Sequence, residues 1–244
     1  MFPVPRASYR GVTEMVQVVT EMVSFPVEGG VAQGYMARPE GEGPFPGVIV
    51  VQEWWGLDEH IKDVCRRFAS ERFVALAPDL YHGRVTSNPD EAMGLMTGLD
   101  MARAVKELVA ASAFLASQPY TRGRGIGAIG FCMGGGLALE LACESPHVKA
   151  VAPFYGVNPQ PIDRVQGIQG PVLAIYAEND PWVDPPLRAE ELRAALERYG
   201  KRFEIHIYPG TQHAFFNDTR PEVYNARAAQ DAWNRVLRLF REHL

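Results

Sequence analysis

The chain has 244 residues, 47% of them hydrophobic, enough to bury a sizeable core as one large domain or two small ones. A net charge of -5 with no dense Lys/Arg run argues against nucleic acid as a partner, and no apolar run is long enough to span a bilayer. Cys65, Cys132 and Cys143 are an odd set, far apart, and form no disulfide framework; with no export signal visible at the N-terminus, the expectation is a reduced, cytoplasmic protein.

In chain order, residues 1–20 match no pattern and are expected to be an N-terminal extension of unknown role, ahead of a single domain over 21–244. Val19 to Phe25 and Val31 to Ala37 read as a strand pair around the Gly29-Gly30 turn. Gly47 to Val51 is apolar throughout, as a strand covered on both faces would be. Asp58 to Phe73 has helical spacing, with Ile61, Val64, Cys65 and Phe68 on one stripe. Phe73 to Ala77 is a second buried strand, and Asp79 to Leu99 reads as irregular. A helix follows over Asp100 to Ser117, a strand over Ile126 to Phe131, a helix over Met133 to Cys143 and a strand over Val148 to Phe154. Pro171 to Ala177 is a strand, Leu187 to Tyr199 a helix, Phe203 to Tyr208 a strand, and Pro221 to Leu244 a closing helix. Such alternation predicts an α/β fold, a mostly parallel doubly wound sheet, and the two helix-less N-terminal strands predict an antiparallel edge.

The chemistry concentrates where the strand ending at Phe131 meets the next helix. Gly130-x-Cys132-x-Gly134 has the form of a nucleophile elbow with sulfur in place of oxygen. A free thiol, with a pKa of about 8.5, is only a few per cent thiolate at neutral pH, so Cys132 needs a base and the base needs an orienting acid. In this fold class the chain order is nucleophile, acid, histidine. Asp180 and Asp184 follow one strand and compete for the acid; Asp180 is favoured because it is nearer the strand end, and Asp184 looks like a turn or helix cap. His213 follows a glycine turn after the last strand and is the candidate base. His206 lies inside a strand, and His60, His82, His147 and His243 read as packing or solvated residues. No C-x-x-C or H-E-x-x-H is present, so neither a metal nor a cofactor is expected.

Several segments resemble the dienelactone hydrolase (carboxymethylenebutenolidase) family of α/β-hydrolases: the elbow Gly130 to Gly135, Gln52-Glu53-Trp54-Trp55-Gly56, Pro78-Asp79-Leu80-Tyr81, and Tyr155-Gly156-Val157. The likeness runs from about Phe25 to the C-terminus. It implies an α/β-hydrolase fold and a Cys132–His213–Asp180 triad, with Glu53 taking the thiol proton when substrate binds. Apolar walls such as Trp54 and Trp55 should raise the Glu53 pKa and suit it to that task. The backbone N–H groups of Met133 and Trp54 would meet the developing oxyanion. Trp54, Trp55, Tyr81, Tyr155, Trp182 and Phe215 are candidates for the pocket wall.

The resemblance also implies two arginines that grip a substrate carboxylate. Here the position four residues after His213 is Asn217, and Arg84 stands one place beyond the other, behind His82 and Gly83. The expected activity is therefore opening of enol-lactones or small carboxylic esters through a thioester intermediate, with weak binding of dienelactone and a preference for neutral or larger substrates. The alternatives are a broader esterase or thioesterase on neutral substrates, and a non-catalytic redox sensor built on Cys132. A monomer or small homo-oligomer is expected.

Overall fold

The computed structural model describes residues 16–244. One eight-stranded sheet runs through the molecule in the order β1-β2-β4-β3-β5-β6-β7-β8. Its strands are β1 (Val18–Val27), β2 (Gly30–Pro39), β3 (Phe45–Val51), β4 (Val74–Pro78), β5 (Thr121–Phe131), β6 (Val148–Phe154), β7 (Val172–Asn179) and β8 (Phe203–Gln212). β1 pairs antiparallel with β2, and β2 antiparallel with β4; every pairing from β4 to β8 is parallel. That is the antiparallel N-terminal edge expected from two strands with no helix between them. β1 starts at Val18, so residues 18–20 belong to the sheet and not to an extension; residues 16–17 lead into it without regular structure, and residues 1–15 lie outside the described residues.

Helices cover both faces, as strands apolar on both sides require. They are α1 (Glu59–Ser70), α2 (Pro89–Thr97), α3 (Met101–Ser117), α4 (Met133–Glu144), α5 (Pro185–Arg198) and α6 (Ala226–His243). On one face α1 and α6 bury Ile61, Val64, Cys65, Phe68, Val236 and Phe240. The other face takes α3, α4 and α5 through Leu108, Leu115, Leu137, Leu141 and Leu192. Five of the six helix entries carry a side-chain cap: Asp58, Asn88, Asp100, Asp184 and Asn225 accept backbone N–H groups of the first turn, while α4 starts from Cys132 without one.

Two elements were not predicted. The stretch Asp79 to Leu99, expected to be irregular, contains α2, and residues Ile162–Gly167 form a short 3-10 helix. The signal for α2 was present: Asn88 as the cap, Pro89 at the first helical position, and Asp90 and Glu91 in the first turn. Its weak amphipathicity hid it, for only Ala92 is buried.

Candidate active site

The carboxyl ends of β3 to β8 carry the candidate residues, where open α/β sheets place their ligands. Cys132 sits between β5 and α4 with φ 58 and ψ -120, a conformation strained for a residue with a Cβ. It holds there because its N–H bonds Phe154 O at 3.1 Å and its carbonyl accepts from Gly135 at 2.9 Å. Gly130 and Gly134 are required by close approach: a Cβ on Gly130 would overlap the Gly134 carbonyl, and one on Gly134 would overlap Gln52 O. The second contact brings the start of α4 against the end of β3. It sets the Met133 N–H, which has no acceptor in its own helix, beside the turn that carries Glu53 and Trp54.

His213 follows β8, and its Nδ1 lies 2.6 Å from Asp180 Oδ2. Asp180 is buried, and its second oxygen accepts from the Trp182 N–H at 2.9 Å, so the carboxylate is fixed at both ends. Asp184 instead caps α5 by accepting from Leu187 N, the helix-cap role foreseen for it. Burial disfavours the charged imidazole, but the Asp180 hydrogen bond and the adjacent Cys132 sulfur outweigh it and push His213 up to about 10. Three of the expected residues thus converge: a strained thiol, an imidazole beside its sulfur, and a buried carboxylate behind the imidazole.

Glu53 is 1% exposed. Burial is the main cause that raises its pKa, to about 7; Asp58 raises it further, while the Asn217 hydrogen bond, His213 and Arg220 pull it down. Its Oε2 accepts from Asn217 Nδ2 at 2.8 Å, and Oε1 has no protein partner among the described residues. Gln52 ties the same turn to the segment after β4, its Oε1 accepting from Leu80 N at 3.1 Å.

The remaining expected residues divide. Trp54 and Trp55 pack edge to face at 4.8 Å beside Glu53, both partly exposed. Tyr81 reaches the elbow, its hydroxyl donating to Met133 Sδ at 3.4 Å, and burial and then the Cys132 charge raise its pKa. Tyr155 is buried with its ring 5.0 Å from His213, so it braces the imidazole instead of walling an open pocket. Phe215 is wholly buried against Tyr155 and Tyr208 and belongs to the core. Trp182 is 67% exposed, because the short turn after Asp180 carries its indole to the surface. Arg84 also points away, paired with Glu91 of α2 at 3.1 Å. Asn217 is buried, with its amide on Glu53.

Arg220 was missed. Its guanidinium lies 5.7 Å from the Trp55 ring, its Nε donates to Glu222 at 2.9 Å, and its charge is felt at Glu53. An Arg before Pro221 in the loop after the candidate base was the available signal. His60, read as a packing or solvated histidine, is a packing one: it is buried against Phe131 and Phe216, and burial lowers it to about 4.

With this geometry in place, comparison with known proteins is decisive. The sequence pattern of the dienelactone hydrolase family matches residues 32–244. The chain belongs to that family. Among its relatives, the protein usf of Aquifex pyrophilus is 38% identical over 231 residues, covering 92% of this chain and 99% of that one. A Saccharolobus solfataricus protein that bears the name "Putative carboxymethylenebutenolidase" is 36% identical over 253 residues, covering 88% of this chain and 95% of its own. Among solved structures, the dienelactone hydrolase-like promiscuous phosphotriesterase P91 from metagenomic libraries superposes with a TM-score of 0.85 at 27% identity, covering 93% of this chain and 98% of that one. This family member is accordingly a hydrolase of ester-type substrates with an α/β-hydrolase fold. Among the described residues no helix is long and apolar enough to cross a membrane.

Proposed function

We propose that the chain opens enol-lactones or small carboxylic esters by nucleophilic catalysis at Cys132. The observation that carries the reading is the 2.6 Å Asp180–His213 hydrogen bond, with the imidazole beside the Cys132 sulfur at a strained elbow. On substrate binding, Glu53 takes the proton of the Cys132 thiol, and the thiolate attacks the carbonyl carbon. The N–H groups of Met133 and Trp54 stabilise the tetrahedral oxyanion, each donor worth about 3–4 kcal/mol of barrier. Collapse of that adduct breaks the acyl C–O bond, expels the enolate or alkoxide, and leaves a thioester on Cys132. The acylated sulfur carries no charge, so the attraction of the thiolate formed on substrate binding no longer holds His213 protonated. His213 gives its proton to the departing enolate or alkoxide and then takes one from water as hydroxide attacks the thioester; collapse breaks the acyl C–S bond, releases the acid, and Glu53 returns its proton to the sulfur to restore the thiol.

Selectivity for this thiol has a physical basis. Burial pushes Cys143 up to about 12 and Cys65 higher still, which keeps both protonated. The proposed substrates are neutral. Asn217 is engaged by Glu53, Arg84 pairs with Glu91, and Arg220 with Glu222 and the Trp55 ring. A reducing compartment suits an enzyme that needs a free thiol.

The test is kcat/KM for an enol-lactone bearing a carboxylate and for its methyl ester, with and without iodoacetamide. The methyl ester is expected to be favoured and iodoacetamide to stop turnover of both. Preference for the free acid by a wide margin would contradict the substrate assignment, and turnover that survives full alkylation of Cys132 would contradict the mechanism.

A further inference from the structure

Two buried polar groups meet at the back of the site in a way that the triad does not require. Glu53 comes from the turn after β3, and Asn217 from the loop after β8. Asn217 Oδ1 accepts from both the Thr219 N–H at 3.1 Å and the Thr219 hydroxyl at 2.7 Å. A backbone N–H can only donate, so the oxygen of the amide must face Thr219 and the NH2 must face Glu53. The loop itself is pinned. Asp218 pairs with Arg67 of α1, Arg67 Nε holds Asp63 at 2.6 Å, and the Asn217 N–H bonds Ala214 O at 2.9 Å. A side chain whose orientation is set on one side and whose loop is anchored on the other has one arrangement to offer Glu53.

We propose that Asn217 is a positioning residue that decides which oxygen of Glu53 exchanges a proton: its amide occupies Oε2, and Oε1 is the atom that gains and loses hydrogen. The inference rests on the reading of Glu53 as acceptor of the thiol proton. Oε1 is buried without a protein partner, so a proton arriving there displaces no hydrogen bond. A proton on Oε2 would face the Asn217 NH2, donor against donor. The step is a transfer from Cys132 Sγ–H to Glu53 Oε1, leaving a thiolate and a neutral carboxyl. The charged and titratable groups around Glu53 are Asp58 ahead of α1, Tyr155 after β6, and His213 and Arg220 in the loop after β8. Of these, His213 and Arg220 favour the carboxylate and Asp58 opposes it, while burial dominates. Because the donor that holds Oε2 is a neutral amide, it lowers the Glu53 pKa without cancelling the effect of burial, and the carboxyl can change state near neutral pH.

The experiment is a pH titration of the carboxyl band of Glu53 by infrared difference spectroscopy, assigned by its loss in Glu53→Gln, run on the full chain. The same variants are followed for the pH dependence of the acylation burst with p-nitrophenyl acetate. Wild type should titrate near 7. Asn217→Leu should move the midpoint upward by about one to two units, the worth of a hydrogen bond to a charged group. Asn217→Asp should also move it up and split it into two coupled steps. Thr219→Val, which removes only the hydroxyl of the lock, should move it by less than about one unit and keeps the test available where Asn217 variants do not fold. A purely structural role for Asn217 would lower the melting temperature and leave the midpoint within a few tenths of a unit, and that result overturns the proposal. A midpoint that moves while the acylation profile stays fixed supports the positioning role and removes Glu53 as acceptor of the thiol proton.

Discussion

The two ends of the sheet are built by different rules. At the amino ends of the parallel strands, backbone turns that need a positive φ mostly use glycine, as at Gly41 and Gly200, with open space around each. At the carboxyl ends glycines such as Gly56, Gly83 and Gly210 are joined in that region by residues with side chains: His82 after β4, Cys132 after β5, Tyr155 after β6, Asp184 after β7 and Ala214 after β8. The buried polar side chains Gln52, Glu53, Asp180 and Asn217 lie at this end too. One end is built to fold cheaply. The other holds strained backbone and costly polar burial, tolerable only because the two apolar cores on either face fix it from below.

Variants at the strained end should break chemistry before they break the fold. Cys132→Ala is expected to lower kcat/KM for a p-nitrophenyl ester by a thousandfold or more, on the order seen when a nucleophile is removed. Its circular dichroism should be unchanged. Cys65→Ala and Cys143→Ala should retain nearly full activity. Asp180→Asn should lower kcat by about 10³–10⁴-fold, since it removes the charge that orients and supports the His213 imidazole; a loss under tenfold would show that another group does this.

The contrast is sharpest when glycines are compared. Gly130→Ala puts a Cβ into the Gly134 carbonyl and should destabilise by more than about 3 kcal/mol in urea unfolding. Gly200→Ala meets open space and should cost only the left-handed backbone term, about 1–2 kcal/mol. Equal costs would erase the distinction between the ends.

Much of this division was legible in the residues. The elbow could be read because a strained turn at close approach leaves few choices at 130 and 134, and the Asp180–His213 pairing because chain order and strand ends constrain it. The surface position of Trp182 and the burial of Phe215 and Asn217 were not legible. Aromatic and amide side chains serve core, surface and site alike, and only the turn after Asp180 and the lock on Thr219 decide which. Helix α2 was missed because its caps are explicit but its apolar face is nearly absent. The strand boundaries at β1 and β8 ran longer than the apolar runs, because edge strands tolerate polar residues that periodicity reads as loop.

Smaller effects sharpen the account further. Glu53 binds its proton more tightly folded than unfolded, about 7 against an ordinary 4.5. Between those values the native state holds more protons, so stability from this group is full at low pH and falls as pH rises through 7. Glu53→Gln should therefore raise stability at pH 8 by about 3 kcal/mol and change it little near pH 4, read by thermal melts at both. No gain at pH 8 would mean that the buried carboxylate is better solvated than its surroundings indicate. Arg84→Ala, which removes a side chain paired outward with Glu91, should change kcat/KM by less than about twofold for neutral and anionic esters alike.

The central claim is a covalent acyl group on Cys132. The direct measurement is peptide mapping by mass spectrometry of His213→Ala quenched during reaction with p-nitrophenyl acetate, the variant in which deacylation should be slowest. The account predicts one acetyl group per chain, on the peptide that contains Cys132, released by hydroxylamine as a thioester. An acetyl on a hydroxyl side chain, or steady turnover with Cys132 never acylated, would contradict it.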